Sequence, residues 1–159
     1  MNRSEKQEEH EPYRKYVAEM EITVGWGDCD GAGIIYYPNY FRWFDDATWN
    51  YFESIGMPLE KITEQYQIVG FPLIDAQANF KRPLHFREKI VMRTEIVKID
   101  GKILHIHHKA VKQEELLAAE GKEIRFWGKF CEVEKRLKAE NIPVEFLIQH
   151  RNSILQKTS

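Results

Sequence analysis

Between Pro38 and Ile55 the chain carries a helical pattern that is apolar around most of its girth. Tyr40, Phe41, Trp43, Phe44, Ala47, Trp49, Tyr51, Phe52 and Ile55 leave only a narrow polar stripe of Arg42, Asp46, Asn50 and Glu53, with Asp45 beside it. A surface helix buries one face, whereas this one must be covered on most sides. A single strand cannot do that; a wide curved sheet or a second subunit can. Pro38 suits the first helical position, Gly56 offers a left-handed cap and Pro58 blocks continuation.

The flanking segments supply the cover. Ala18, Met20, Ile22, Val24 and Trp26 alternate with polar residues and predict a half-buried strand with those five on one face. Leu59 to Tyr66 reads as a second, short helix. Strands are predicted at Asp75 to Lys81 (Ala76, Ala78 and Phe80 on one face), Lys89 to Ile99, and Lys102 to Val111 with Leu104, Ile106 and Ala110 inward. Asp100-Gly101 between the last two is a strong hairpin signal. A further strand runs from Leu116 to Ala119, is interrupted at Gly121-Lys122 by a turn or bulge, and resumes with Ile124, Phe126, Gly128 and Phe130 on one face. Lys135 to Glu140 reads as a solvated stretch, and Pro143 as the start of a short terminal helix. One strand, a long helix and then several strands on short turns describe an α+β architecture, not alternating βαβ units. Residues 1–14 are polar and expected to be disordered, 15–150 to form a single domain, and 151–159 to fray.

Composition excludes several classes. A formal net charge of -2 leaves no basic footprint for nucleic acid. No apolar run is long enough for membrane insertion, and the first residues hold no hydrophobic segment, so a cytoplasmic location is expected. Cys29 and Cys131 fit free thiols, with no metal-ligand spacing around them. His105 and His107 share a strand face but lack a third same-face ligand, so no metal is expected there. A serine nucleophile elbow is absent from the sequence.

Chemistry concentrates in Gly27-Asp28-Cys29-Asp30-Gly31-Ala32-Gly33, directly before the apolar helix. A helix N-terminus offers unpaired N–H groups and partial positive charge, which stabilise an oxygen that becomes negative during reaction. A carboxylate on the preceding turn supplies a base or nucleophile. The same two aspartates serve equally as caps of loop amides, so the residues alone leave both readings open.

The run GDCDGAGIIYYPNYFRWFD, from Gly27 to Asp45, resembles the 4-hydroxybenzoyl-CoA thioesterase family of the hot-dog fold, and the likeness extends over roughly Glu19 to Glu134. The resemblance implies a curved antiparallel sheet of about five or six strands around one long central helix. It implies an acyl-CoA thioesterase that hydrolyses a small aromatic or a short to medium acyl thioester. Asp30 matches the catalytic carboxylate and Tyr37 the residue whose backbone N–H polarises the carbonyl. Gly33 matches the glycine of the close turn, and Asp28 becomes structural. Ile34, Ile35, Tyr36 and Trp43 around the loop are apolar enough to exclude water and shape an acyl or aromatic pocket, and Asp45 matches a pocket-lining acid near the acyl group. Coenzyme A is part of substrate and product, so no separate cofactor is implied. Its phosphates call for basic side chains, first Lys98 and Lys102, with Arg82, Lys89, Arg93 and Lys109 as further candidates. Near the Asp100-Gly101-Lys102 hairpin the family carries paired arginines that this chain lacks. The competing function is a binding module that holds acyl-CoA or acyl carrier protein without turnover. An open sheet leaves bare edges, so a homo-oligomer, dimer or tetramer, is expected in either case.

Overall fold

The computed structural model describes residues 15–159, and the segment expected to be disordered, residues 1–14, lies outside the described residues. The long helix, α1, spans Pro38–Ser54 with Pro38 in its first turn. Gly56 follows at φ 75° and turns the chain out of the helix. The short helix α2 covers Leu59–Tyr66. Strands β1 (Val17–Thr23), β2 (Leu73–Phe80), β3 (Lys89–Asp100), β4 (Ile103–Val111) and β5 (Leu117–Phe126) form one antiparallel sheet in the order β1-β3-β4-β5-β2. The β3–β4 hairpin closes at Asp100 and Ile103, as the Asp-Gly pair predicts.

The sheet's inner face meets α1. Ile90, Met92, Thr94 and Ile96 of β3 point inward, as do Leu104, Ile106, His108 and Ala110 of β4. Two apolar clusters result. One gathers Tyr40, Trp43, Phe44 and Ala47 of the first half of α1 against Val24, Ile35, Leu84, Ile90 and Met92. The other gathers Tyr51, Phe52 and Ile55 against Ile96, Leu104, Phe71, Trp127 and Phe146.

Four expectations need correction. Trp26 is not on the inner face of β1 but 74% exposed, because the strand ends at Thr23 and a 3-10 turn, Trp26–Asp28, swings it outward. Gly121 interrupts nothing: it pairs with Ala78 on one side and His108 on the other within a continuous β5. Its role is spatial, since a Cβ there would stand 2.4 Å from the Phe44 ring. The charged stretch after Lys135 is a strand, β7 (Arg136–Ala139), paired with β6 (Gly128–Cys131); Arg136 and Leu137 are exposed, Lys138 and Ala139 are partly buried, and the backbone is bonded. The terminal helix α3 is not short: it runs Val144–Lys157. Phe146, His150 and Ile154, spaced by four, form its buried stripe, while Val144 and Ile148 are exposed. Among the described residues no helix is long and apolar enough to cross a membrane.

Candidate active site

The loop between β1 and α1 folds back on itself before the helix begins. Asp30 N–H donates to Ile34 O at 2.9 Å and Gly33 N–H to Asp30 O at 3.0 Å, closing a tight turn. Gly33 sits at φ 77°, in the left-handed region where a side chain is strained. Asp28 holds the base of this turn. Its carboxylate accepts from Gly25 N–H at 2.8 Å and from Arg42 at 2.6 Å. Its carbonyl accepts from Tyr36 N–H and the Asn39 amide, each at 2.8 Å. Asp28 therefore ties the loop to the first turns of α1. Asp30 is exposed, and its carboxylate accepts only the Ala32 N–H, at 2.8 Å, among the described residues.

The turn delivers Ile34 and Ile35 to an apolar cleft of about 320 Å³ at the N-terminal end of α1. Tyr37, Tyr40, Phe80, Pro83 and Leu84 complete its walls, and Lys81 and Arg82 stand at its rim. Ile35 N–H bonds to Leu84 O at 2.9 Å, and Ile34 pairs with His85, so the loop and the β2–β3 connection form one wall. Tyr40 packs on Phe80 with ring centroids 5.1 Å apart. Burial, with the Glu88 charge nearby, pushes the Tyr40 hydroxyl up to about 12, so it stays neutral. Pro38 has no N–H, and Asn39 and Tyr40 donate to the carbonyls of Tyr36 and Tyr37. The Tyr37 N–H donates to no acceptor among the described residues. It is the open donor at this helix terminus.

Ile35 and Tyr37 line the cleft, while Asp30 and Gly33 lie on the turn that leads into it and are not part of its lining. The other residues singled out from the sequence lie elsewhere. Tyr36 is half exposed, edge-on to Tyr37, and outside the cleft lining. Asp45, also outside it, accepts from Arg125 Nη2 at 2.6 Å and from the Trp49 indole N–H at 3.3 Å. Lys98 pairs with Asp100 at 2.9 Å and Lys102 is exposed, both at the far end of β3. That end is roughly 30 Å from Lys89 by strand length.

Sequence reasoning missed a polar layer between the two apolar clusters. Glu123 accepts from Thr48 at 2.6 Å, His108 at 3.1 Å and Arg125 at 2.8 and 3.1 Å. Thr94 bonds the other nitrogen of His108 at 2.8 Å, and Phe44 stacks on that imidazole at 4.8 Å. Burial alone would raise the Glu123 carboxyl; the bonds from His108 and Arg125 outweigh it and bring it down to about 2. The clue in the sequence was His108 itself, which shares the inward face of Leu104 and Ile106.

The sequence profile of the Thioesterase-like superfamily matches residues 24–146. The 4-hydroxybenzoyl-CoA thioesterase of Pseudomonas sp. (strain CBS-3) is 37% identical over 76 residues, 47% of this chain and 54% of that protein. A 1,4-dihydroxy-2-naphthoyl-CoA hydrolase of Prochlorococcus marinus (strain MIT 9313) is 30% identical over 79 residues, 46% of this chain and 52% of that one. The chain therefore spans about half the length of the curated relatives it matches. Structural likeness extends further. The solved Pseudomonas thioesterase superposes with a TM-score of 0.76 at 28% identity over 84% of this chain and 98% of its own. A gentisyl-coenzyme A thioesterase gives 0.69 at 34% identity over 79% and 95%. The sheet order, the enclosed helix and these matches lead to one conclusion: the chain belongs to the thioesterase-like superfamily of the hot-dog fold and is closely related to members of the 4-hydroxybenzoyl-CoA thioesterase family.

Proposed function

We propose that the protein is an acyl-CoA thioesterase that acts on small aromatic acyl groups. One observation carries the reading: an unpartnered Tyr37 N–H at the end of an apolar cleft, with the Asp30 carboxylate on the turn that builds the cleft wall. The cleft lining of Tyr37, Tyr40 and Phe80 suits a flat ring. The similarity to thioesterases whose names specify aromatic acyl groups supports the same substrate class.

In this mechanism the thioester carbonyl oxygen accepts the Tyr37 N–H, reinforced by the positive end of α1. Two routes use Asp30. As a general base it takes a proton from water while the water oxygen bonds to the carbonyl carbon. As a nucleophile its carboxylate oxygen bonds to that carbon, giving a mixed anhydride that water then cleaves. Both break the C–S bond and release coenzyme A as its thiolate, a leaving group that needs no strong general acid. Ile34, Ile35 and Leu84 keep bulk water off the acyl group. Asp28 positions the loop and touches no reacting atom.

We further infer that a second copy pairs along β2, giving a dimer or a tetramer of paired dimers. β2 is an edge strand, and its Leu73, Ile74 and Phe80 are each about half exposed. A dominant 18.9 kDa species in sedimentation would rule that out.

A hydrolysis panel read by free thiol tests the activity, with benzoyl, hydroxybenzoyl, short-chain and long-chain CoA thioesters. Highest kcat/KM on the aromatic thioesters is expected. Binding of several thioesters with hydrolysis of none would replace this reading with a non-catalytic acyl-CoA or acyl-carrier-protein binding module.

A further inference from the structure

One polar group in the cleft at the start of α1 is left over by the hydrolytic mechanism, the Tyr40 hydroxyl. Tyr40 lines the cleft and is only 4% exposed. Trp43, Phe44 and Phe80 surround its ring, with centroids at 5.6, 6.4 and 5.1 Å. Its hydroxyl neither donates nor accepts a hydrogen bond among the described residues. The buried hydroxyls elsewhere in the core are satisfied. Tyr51 bonds His150 at 3.0 Å, Thr48 bonds Glu123 at 2.6 Å and Thr94 bonds His108 at 2.8 Å. Tyr37, the other tyrosine of the cleft wall, is 59% exposed and meets water. A hydroxyl taken out of water without a partner costs free energy, and phenylalanine would fill the same space without that cost. Packing therefore accounts for the ring of Tyr40 and not for its oxygen.

What the oxygen can bind follows from its state and its place. Burial, and then the Glu88 charge, push the hydroxyl up to about 12, so it is a neutral O–H that both donates and accepts. Ile34, Ile35, Phe80 and Leu84 around it bring no competing polar side chain. Tyr40 stands about 4.5 Å along α1 from Tyr37, and helical side chains lean toward the N-terminus. A ring whose carbonyl meets the Tyr37 N–H thus passes beside it.

We propose that Tyr40 is a specificity-determining residue whose hydroxyl bonds a neutral hydroxyl substituent on the acyl ring, an inference that rests on the thioesterase reading. Shape separates a bare ring from a hydroxylated one poorly, because an apolar pocket neither strongly rejects nor strongly favours one added oxygen. The hydrogen bond does separate them. A bare ring closes the cleft over an unpaired Tyr40 oxygen, whereas a ring hydroxyl satisfies it.

The test uses the full chain and reads a ratio within each protein. Parent and Tyr40→Phe are given benzoyl-CoA and the 2-, 3- and 4-hydroxybenzoyl-CoA isomers, with free thiol as the readout. In the parent at least one isomer should exceed benzoyl-CoA about tenfold in kcat/KM. Tyr40→Phe should lower that ratio about tenfold, the scale of one lost hydrogen bond between neutral groups. An equal fall on bare and hydroxylated thioesters makes Tyr40 a packing residue and overturns the proposal. So does a parent that shows no preference between them, a result that stands even if the variant does not fold. If the parent hydrolyses none of these thioesters, calorimetric Kd values give the same ratio. A preference in Kd that Tyr40→Phe abolishes upholds Tyr40 while the thioesterase reading falls, and equal Kd values in the parent overturn both.

Discussion

Glu123 on β5 accepts the Nε2–H of His108 on β4 at 3.1 Å, and neither side chain reaches solvent. A carboxylate only accepts, so His108 carries its proton on Nε2, and Nδ1 accepts from Thr94. Burial lowers the imidazole pKa against the opposing pull of Glu123, which keeps His108 neutral. Thr48 extends the layer to α1, and Arg125 links it through Asp45 to the same helix. The polar layer therefore fixes how α1 sits on the sheet between two otherwise interchangeable apolar surfaces.

Removing the carboxylate should be costly. Glu123→Ala leaves the buried Arg125 with only the half-exposed Asp45 as its anion. A loss of about 3–5 kcal/mol is expected, the scale for breaking a buried pair by deleting one partner. Urea unfolding checks this, and a loss under about 1 kcal/mol would show that the layer is solvated in solution.

Two acid transitions should separate in pH. His150 is buried in the α3 stripe with its Nδ1 unpartnered, and burial pulls it down to about 4. The unfolded chain takes up that proton from about pH 6.5 downward. Stability is thus fully present above pH 6.5 and is lost as pH falls toward 4. Glu123, held at about 2, keeps its contribution above the ordinary carboxylate range and loses it only between about 4.5 and 2. Thermal melts across pH 7 to 4 should slope downward in the parent, and His150→Phe should flatten that slope by up to about 3 kcal/mol. An unchanged slope would move the titration to another group, with His108 the first alternative.

Gly121 and Phe44 make a paired test. Adding a methyl at Gly121 places it against the Phe44 ring in the middle of the sheet. Gly121→Ala should cost about 1–3 kcal/mol by overpacking. Phe44→Leu alone should also destabilise, yet the double variant should recover part of the sum. Strict additivity in the double-mutant cycle would mean that the two do not meet.

These pairs also explain what the sequence revealed and what it hid. The boundaries of α1 were legible because Pro38 and Gly56 act locally and the apolar girth is a one-dimensional pattern. The β3–β4 hairpin was legible for the same reason, through Asp100-Gly101. Glu123 and Arg125 were not, because a charged residue in a strand reads as solvent-facing until its partners on two other elements are known. Gly121 read as a break because the side chain that excludes a Cβ there comes from a residue far away in sequence. In the candidate site, the turn carrying Asp30 and Gly33 was visible as a motif. Which residues wall the cleft depended on the β2–β3 connection, whose Lys81 to Leu84 carry no motif of their own.

The loop aspartates should divide by kind of defect. Asp30 is exposed and accepts one backbone N–H, so Asp30→Asn keeps size and most bonding while removing charge and basicity. Folding should change little, and single-turnover hydrolysis at saturating acyl-CoA should fall at least about 100-fold, the scale of a lost general base. Asp28 instead bridges Gly25 N–H and the Arg42 guanidinium. An Asn there keeps an acceptor for one of them and loses the ion pair, which is partly screened because Arg42 is largely exposed. Asp28→Asn should therefore cost about 1 kcal/mol of stability. It should lower turnover only as far as the loop loosens. Unfolding curves and single-turnover rates measured on the same preparations separate the two. If Asp30→Asn hydrolyses its best substrate near the parent rate, the base lies elsewhere. Asp45 would then be the next acid to replace, although its bond to Arg125 points it away from the cleft lining.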